Sequence, residues 1–156
     1  MISEKDIVKQ ELWPTPFVGA KLDYIDNKSI EKYILDTKKN KKGRQISNQG
    51  GWQDALDDDP IFKDLINSIH YIARTSFKAK PGPKEVNFQM WGNINYRGNW
   101  NNFHEHTGAF ISGVYYVKYP KDSGYLVLRD PRAIIKDDQS AEPDRYNTII
   151  PETGLL

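Results

Sequence analysis

The tetrapeptide Lys80-Pro81-Gly82-Pro83 separates two stretches of sequence with different hydrophobic periods, and this switch limits the folds open to the chain. Before it, Ile30, Tyr33 and Ile34 recur at i, i+3, i+4, and Phe62, Leu65, Ile66, Ile69, Ile72 and Ala73 make one apolar stripe at helical spacing. The first pattern predicts a helix from Asn27 or Ser29 that dissolves into the basic run Lys38 to Arg44. The second predicts a helix from about Asp57-Asp58-Asp59-Pro60, where acidic residues and an early proline suit a helix N-terminus, and this helix is expected to cover a sheet. After the break the period becomes two. Val86, Phe88, Met90, Gly92, Ile94 and Tyr96 alternate with Asn87, Gln89, Trp91, Asn93 and Asn95, which predicts a long strand with one polar, uncharged face. A second extended piece then carries Phe103 to His106, a bend falls at Thr107-Gly108, and Ala109 to Tyr119 reads as a third strand. Lys121 to Gly124 has hairpin-turn composition, Tyr125 to Leu128 is the returning strand, and Lys136 to Tyr146 reads as loop. The expected fold is one domain over 1–156, mainly β with flanking helices: a helical part at about 27–80 and a β part at about 84–156, a sandwich or barrel backed by helices.

Charge and composition exclude several function classes. Twenty-two Lys and Arg against 21 Asp and Glu leave a formal charge of +1, so no long-range field draws the chain to nucleic acid or an acidic membrane, and neither partner is expected. The basic run at Lys38 to Arg44 reads as a solvated helix end. With no cysteine, disulfides, thiolate metal sites and a cysteine nucleophile are all excluded, which suits a reducing cytoplasm. The start MISEKDIVKQ lacks the apolar core of a signal peptide. The polar stretch Ser47 to Gln53 holds Gly50-Gly51 and Trp52, and it reads as a loop pinned to the body by its aromatic, able to border a pocket.

Two of the three histidines, His104 and His106, stand one residue apart in an extended segment. Residues i and i+2 of a strand share a face about 6.6 Å apart, so both imidazoles can converge on one ion while Glu105 faces away. Neutral imidazole suits zinc, copper, iron or nickel. A cupin motif would want Glu four or five residues after the second His, where Phe110 and Ile111 stand. A non-catalytic β-sandwich or cupin-like binding or structural module is the alternative reading.

The runs Trp91-Gly92-Asn93-Ile94-Asn95, His104-Glu105-His106, Ser112-Gly113-Val114-Tyr115-Tyr116-Val117 and Asp130-Pro131-Arg132 resemble the 2-oxoglutarate- and Fe(II)-dependent oxygenases of marine bacteria and their phages. Upstream, Trp13-Pro14-Thr15-Pro16 and Ser47 to Gln53 resemble that family as well, so the likeness runs in order over nearly the whole chain. It implies a double-stranded β-helix, or jelly roll, in which His104 and His106 are two iron ligands. It also implies Fe(II) and 2-oxoglutarate as cofactors and hydroxylation of a small-molecule or peptide substrate. Most of the wider superfamily has Asp or Glu where His106 stands, which leaves a three-His site or a carboxylate from elsewhere. A further alternative takes His106 as the first ligand, with Gly108 at the carboxylate position and a small anion in the gap, as in related halogenases. Asn93, Asn95 and Tyr116 are the candidate cofactor-binding residues, on strands flanking the pair, and Arg132 is the candidate partner for an anionic substrate group.

The likeness departs at Pro151-Glu152-Thr153-Gly154-Leu155-Leu156, where the family continues into a strand with a distal His and then an Arg. No histidine follows His106, and the basic residues after Arg132 are Lys136 and Arg145. The expectation is a chain without its closing strands and distal ligand, inactive by itself, whose uncapped sheet edge permits self-association.

Overall fold

The computed structural model describes Val8 and residues 14–77, 88–130 and 146–156. Helix α1 (Asn27–Asn40) begins where Asp26 caps it: the carboxylate accepts from the Ser29 N–H at 3.2 Å and from the Ser29 hydroxyl at 2.7 Å. Lys38 and Lys39 occupy its last turn, where cations complement the helix dipole. A short 3₁₀ turn at Pro60–Phe62, capped by Asp59, leads into α2 (Lys63–Ser76). The apolar stripes predicted for both helices meet in the core. Ile30 from α1, Phe62 and Leu65 from the second segment, and Leu22 and Ile25 from the lead-in are buried together, with the Tyr33 ring edge-on to Phe62 at 5.2 Å. Ser68 is buried within α2 and is satisfied there by the Tyr24 hydroxyl and the Asp64 carbonyl.

Among the described residues six short strands form three antiparallel pairs: β1 (Asn48–Gln49) with β4 (Trp100–Asn101), β2 (Trp52–Ala55) with β3 (Trp91–Ile94), and β5 (Leu126–Arg129) with β6 (Tyr146–Ile149). The first two pairs are successive stretches of one ribbon, with Asn48 opposite Asn101 and Trp52 opposite Ile94. It is interrupted by Gly50-Gly51 on one side and by a turn closed by the Asn99 N–H on the Tyr96 carbonyl on the other. Gly51 has φ +68°, and a Cβ there would lie 2.6 Å from the Ile94 carbonyl oxygen, so only glycine lets the two strands stay together past the interruption. The stretch Ser47 to Gln53, expected as a loop, is therefore largely strand. Trp52 does pin it: the ring is buried and its Nε1–H donates to the Lys41 carbonyl at 2.9 Å.

Other expectations are corrected. Of the long strand expected from Val86, residues up to Asn87 lie outside the described residues; the strand itself is Trp91–Ile94, with one further backbone bond from the Leu56 N–H to the Met90 carbonyl, and it ends where Tyr96 to Asn99 turns away. Ala109 to Tyr119 is no strand: among the described residues its backbone pairing is limited to Tyr116, which exchanges hydrogen bonds with Leu155 and Gly154. The turn at Lys121-Asp122 is present, with Asp122 at φ 63°, yet the strand after it pairs with Tyr146–Ile149 and not with the segment before the turn. The stretch Gly154 to Leu156 lies between Ala20–Leu22 and Tyr116 and is bonded to both. The basic run is spent locally, with Lys39 on Asp36, Lys41 on Asp57, Arg44 on Asp54, and Lys38 on the Tyr96 hydroxyl. No helix among the described residues is long and apolar enough to cross a membrane. The described residues are thus mainly short antiparallel strands with two helices.

Candidate metal centre

The end of the ribbon sets the position of the histidines. Asn102 is the last residue to pair, donating its N–H to the Ser47 carbonyl at 2.8 Å, and His104-Glu105-His106 leave the ribbon without ladder bonds because β1 offers no residue to pair with them. The expected strand placement of the H-x-H segment is corrected: it lies outside any strand. The two rings nonetheless meet, with centroids 4.9 Å apart and planes at 79°. His106 also lies 5.3 Å from the Trp91 ring of β3.

One hydrogen bond decides the tautomer of His104. Its Nδ1 lies 2.7 Å from the Asn102 carbonyl oxygen, which can only accept. The proton is therefore on Nδ1, and in the neutral ring Nε2 carries the free lone pair, the arrangement typical of a metal-ligating histidine steadied by a carbonyl. The donors fit Fe(II) in kind, being two imidazoles, and they are exposed to solvent from which an ion arrives. In number they are two: among the described residues no group of three His, Cys, Asp or Glu side chains is placed to hold a metal.

The amides around the pair form a connected network. Asn95 donates to the Asn101 side-chain oxygen at 3.0 Å, Asn101 donates to the Ser47 hydroxyl at 3.0 Å, and Trp100 donates from Nε1 to Asn102 at 3.1 Å. Asn95 thus supports the backbone that carries the histidines. Asn93 is exposed on β3, directly opposite Gln53. Tyr116 has its contacts elsewhere, with Tyr119 at 6.1 Å and the Gly154–Leu155 backbone. Arg132 lies outside the described residues. Trp91 and Asn102 were missed as site residues; the motif containing Trp91 was legible, but its contact with His106 crosses a turn that periodicity does not predict. Two surface depressions, about 600 Å³ along the outer face of α1 and about 360 Å³ between Tyr24 and α2, are lined by helix surface and include neither histidine. The donor chemistry, and not concavity, marks the histidine pair as the site.

Burial raises the phenol of Tyr116 above the ordinary range, with Tyr119 adding to it, and burial also raises Tyr115 and Tyr33. A raised folded-state value favours the neutral phenol in the fold. The associated stability is fully present below the unfolded phenol value of about 10 and is lost as pH rises through the folded values. Alkaline unfolding is expected to accompany a late-titrating phenolate phase in ultraviolet titration, and Tyr116→Phe is expected to remove part of that phase; a titration with every tyrosine at the ordinary value would contradict it.

No curated protein and no solved structure matches the chain. Residues 89–155, less than half of the sequence but inclusive of Trp91, Asn102, His104 and His106, match the model of a protein family described as "Putative 2OG-Fe(II) oxygenase".

Proposed function

We propose that this chain carries the metal-binding part of a non-haem Fe(II)- and 2-oxoglutarate-dependent oxygenase of the hydroxylase type, with His104 and His106 as two of the iron's protein donors. The observation that carries the reading is the histidine pair inside the family-matched segment, with the His104 Nδ1–H committed to the Asn102 carbonyl. When bound, the iron with 2-oxoglutarate supplies O₂-dependent hydroxylation of a substrate C–H bond, 2-oxoglutarate leaving as succinate and CO₂. The chain's own residues bind and orient. Asn102 fixes the ring of His104, the Asn95–Asn101–Ser47 network holds the backbone beneath it, and Trp91 covers one side of His106. The double-stranded β-helix is the architecture this reading entails, and the antiparallel pairing of all six strands is compatible with it. The substrate is proposed as a small molecule or a peptide side chain.

The test is an anaerobic Fe(II) titration with and without 2-oxoglutarate. Binding of about one Fe(II) per chain, tightened by 2-oxoglutarate, is the expected result. A chain that ignores Fe(II) in both conditions is a binding or structural module, the reading favoured by the count of two donors among the described residues.

A further inference from the structure

The β5–β6 pair has one face on which Leu126, Leu128 and Ile149 are half-buried and one on which Val127, Arg129, Tyr146 and Thr148 are all exposed. Arg129 and Tyr146 stand directly opposite one another in the ladder, so their side chains leave the ribbon on the same side with Cβ atoms about 5 Å apart. Phe103 meets both. Its ring centroid lies 6.0 Å from that of Tyr146 and 5.1 Å from the Arg129 guanidinium carbon. The guanidinium is held over an aromatic ring, a contact that gives none of its N–H donors an oxygen to bond. Lys21, Lys39, Lys41, Arg44 and Lys118 each lie against a carboxylate. Among the described residues the Arg129 guanidinium and the Tyr146 hydroxyl have no such partner, and ring contacts are what fix them in place.

We infer that Arg129 and Tyr146 form an oxyanion-binding site, walled by Phe103, that takes the carboxylate or phosphate group of a small anionic ligand. The guanidinium is a planar, positively charged fork that bonds two oxygens at once, and the phenol on the facing strand adds a neutral O–H donor to the same group. Support from Phe103 matters because an arginine free in solvent loses rotamer entropy on every ligand it holds, whereas a stacked one has lost part of it beforehand. The ladder sets the spacing of the two donors in the same way, since neither strand can slide without breaking its pairing. No metal takes part, so the site goes beyond the oxygenase reading and stands or falls apart from it. Phe103 precedes His104 in the chain, and the site therefore lies where the segment leading to the histidines meets the β5–β6 pair.

The test follows the Arg129 Nε–H and the Phe103 and Tyr146 amide resonances by nuclear magnetic resonance while inorganic phosphate or benzoate replaces chloride at constant ionic strength. A saturable shift confined to these residues is the expected result, and the anion that binds more tightly, phosphate or carboxylate, identifies the group the ligand carries. Tyr146→Phe removes a hydrogen bond to a charged group and is expected to weaken binding about 10-fold. Phe103→Leu removes the stacking surface and is expected to weaken it about 2–5-fold. Arg129→Gln is expected to abolish it, and Arg129→Lys, which keeps the charge but not the fork, is expected to bind more weakly than wild type. The three side chains are exposed, so each variant is expected to keep the fold. No saturable shift with either anion overturns the inference. Wild-type affinity in Arg129→Lys, or in both Tyr146→Phe and Phe103→Leu, also overturns it by reducing the site to a charge on the surface.

Discussion

His104→Ala and His106→Ala are each expected to abolish 2-oxoglutarate-stimulated Fe(II) binding while leaving the fold close to its wild-type stability. The two halves of this result have separate causes. Both histidines are exposed; the two rings meet each other, His106 meets Trp91, and His104 is bonded to the Asn102 carbonyl. Truncating an exposed side chain away from the core usually changes stability by no more than about 0.5 kcal/mol. The metal, by contrast, loses one of two imidazole donors, and the single remaining donor competes with water at no chelate advantage. The loss of affinity is expected to exceed about 100-fold, the upper end of what removal of a mere outer partner produces. Because one loss already empties the site, the double variant is expected to add nothing further, the non-additivity of residues that act as a unit. Anaerobic calorimetry with Fe(II) and 2-oxoglutarate, paired with thermal melts, measures both quantities. Unchanged iron binding in both single variants would remove the histidine pair from the proposed site.

How much of this was legible in the sequence depends on the range of the interaction that fixes each part. The two helices are local objects: the Ile30, Tyr33, Ile34 face and the Phe62, Leu65, Ile66, Ile69 stripe place them by periodicity, and both bury that face. Strand pairing is not local. Ser47 to Gln53 reads as loop because its glycines and amides carry no alternation, yet it is strand because Trp91–Asn101 comes back from far along the chain to pair with it. Ala109 to Tyr119 fails in the opposite sense. Its β-branched and aromatic residues have strand propensity, but among the described residues its backbone partner is limited to Gly154–Leu155 at Tyr116, and propensity without a neighbouring strand makes no ladder. Tyr146–Ile149 is the converse omission, a four-residue strand whose Asn147 and Thr148 hide it among polar neighbours. At the site the i, i+2 spacing brought the histidines onto one side, although the segment is unpaired. What spacing did not reveal was the Asn102 carbonyl on His104, since it depends on where the ribbon ends at Asn102.

Phe62→Ala is expected to give the opposite signature, a large loss of stability with metal binding retained per folded molecule. Phe62 is 1% exposed and joins three parts of the chain: the lead-in at Leu22 and Ile25, α1 through Ile30 and Tyr33, and the start of α2 through Leu65. Its ring meets Tyr33 edge-on at 5.2 Å, a geometry that adds to the area it buries. The 3₁₀ turn that carries it is held at its start by Asp59, so the backbone has little freedom to collapse into the space left behind. Under those conditions Phe→Ala costs about 3–5 kcal/mol, transfer and cavity terms together. Against a total stability of order 5–15 kcal/mol this is about a fifth of the fold or more, and at about 2–4 °C per kcal/mol it lowers Tm by roughly 10 °C. Trp91, whose ring meets His106, and Gly92, which seats against Ile34, face opposite sides of β3, so the core change reaches the site through the ribbon as a whole. Urea denaturation measures the stability term, and Fe(II) titration well below the melting temperature measures the second. A loss under 1 kcal/mol would show that the junction of α1, α2 and the lead-in does not hold the fold together. A stability loss accompanied by a proportionate loss of Fe(II) affinity in the folded state would show that the ribbon does not stand as a rigid support for His104 and His106.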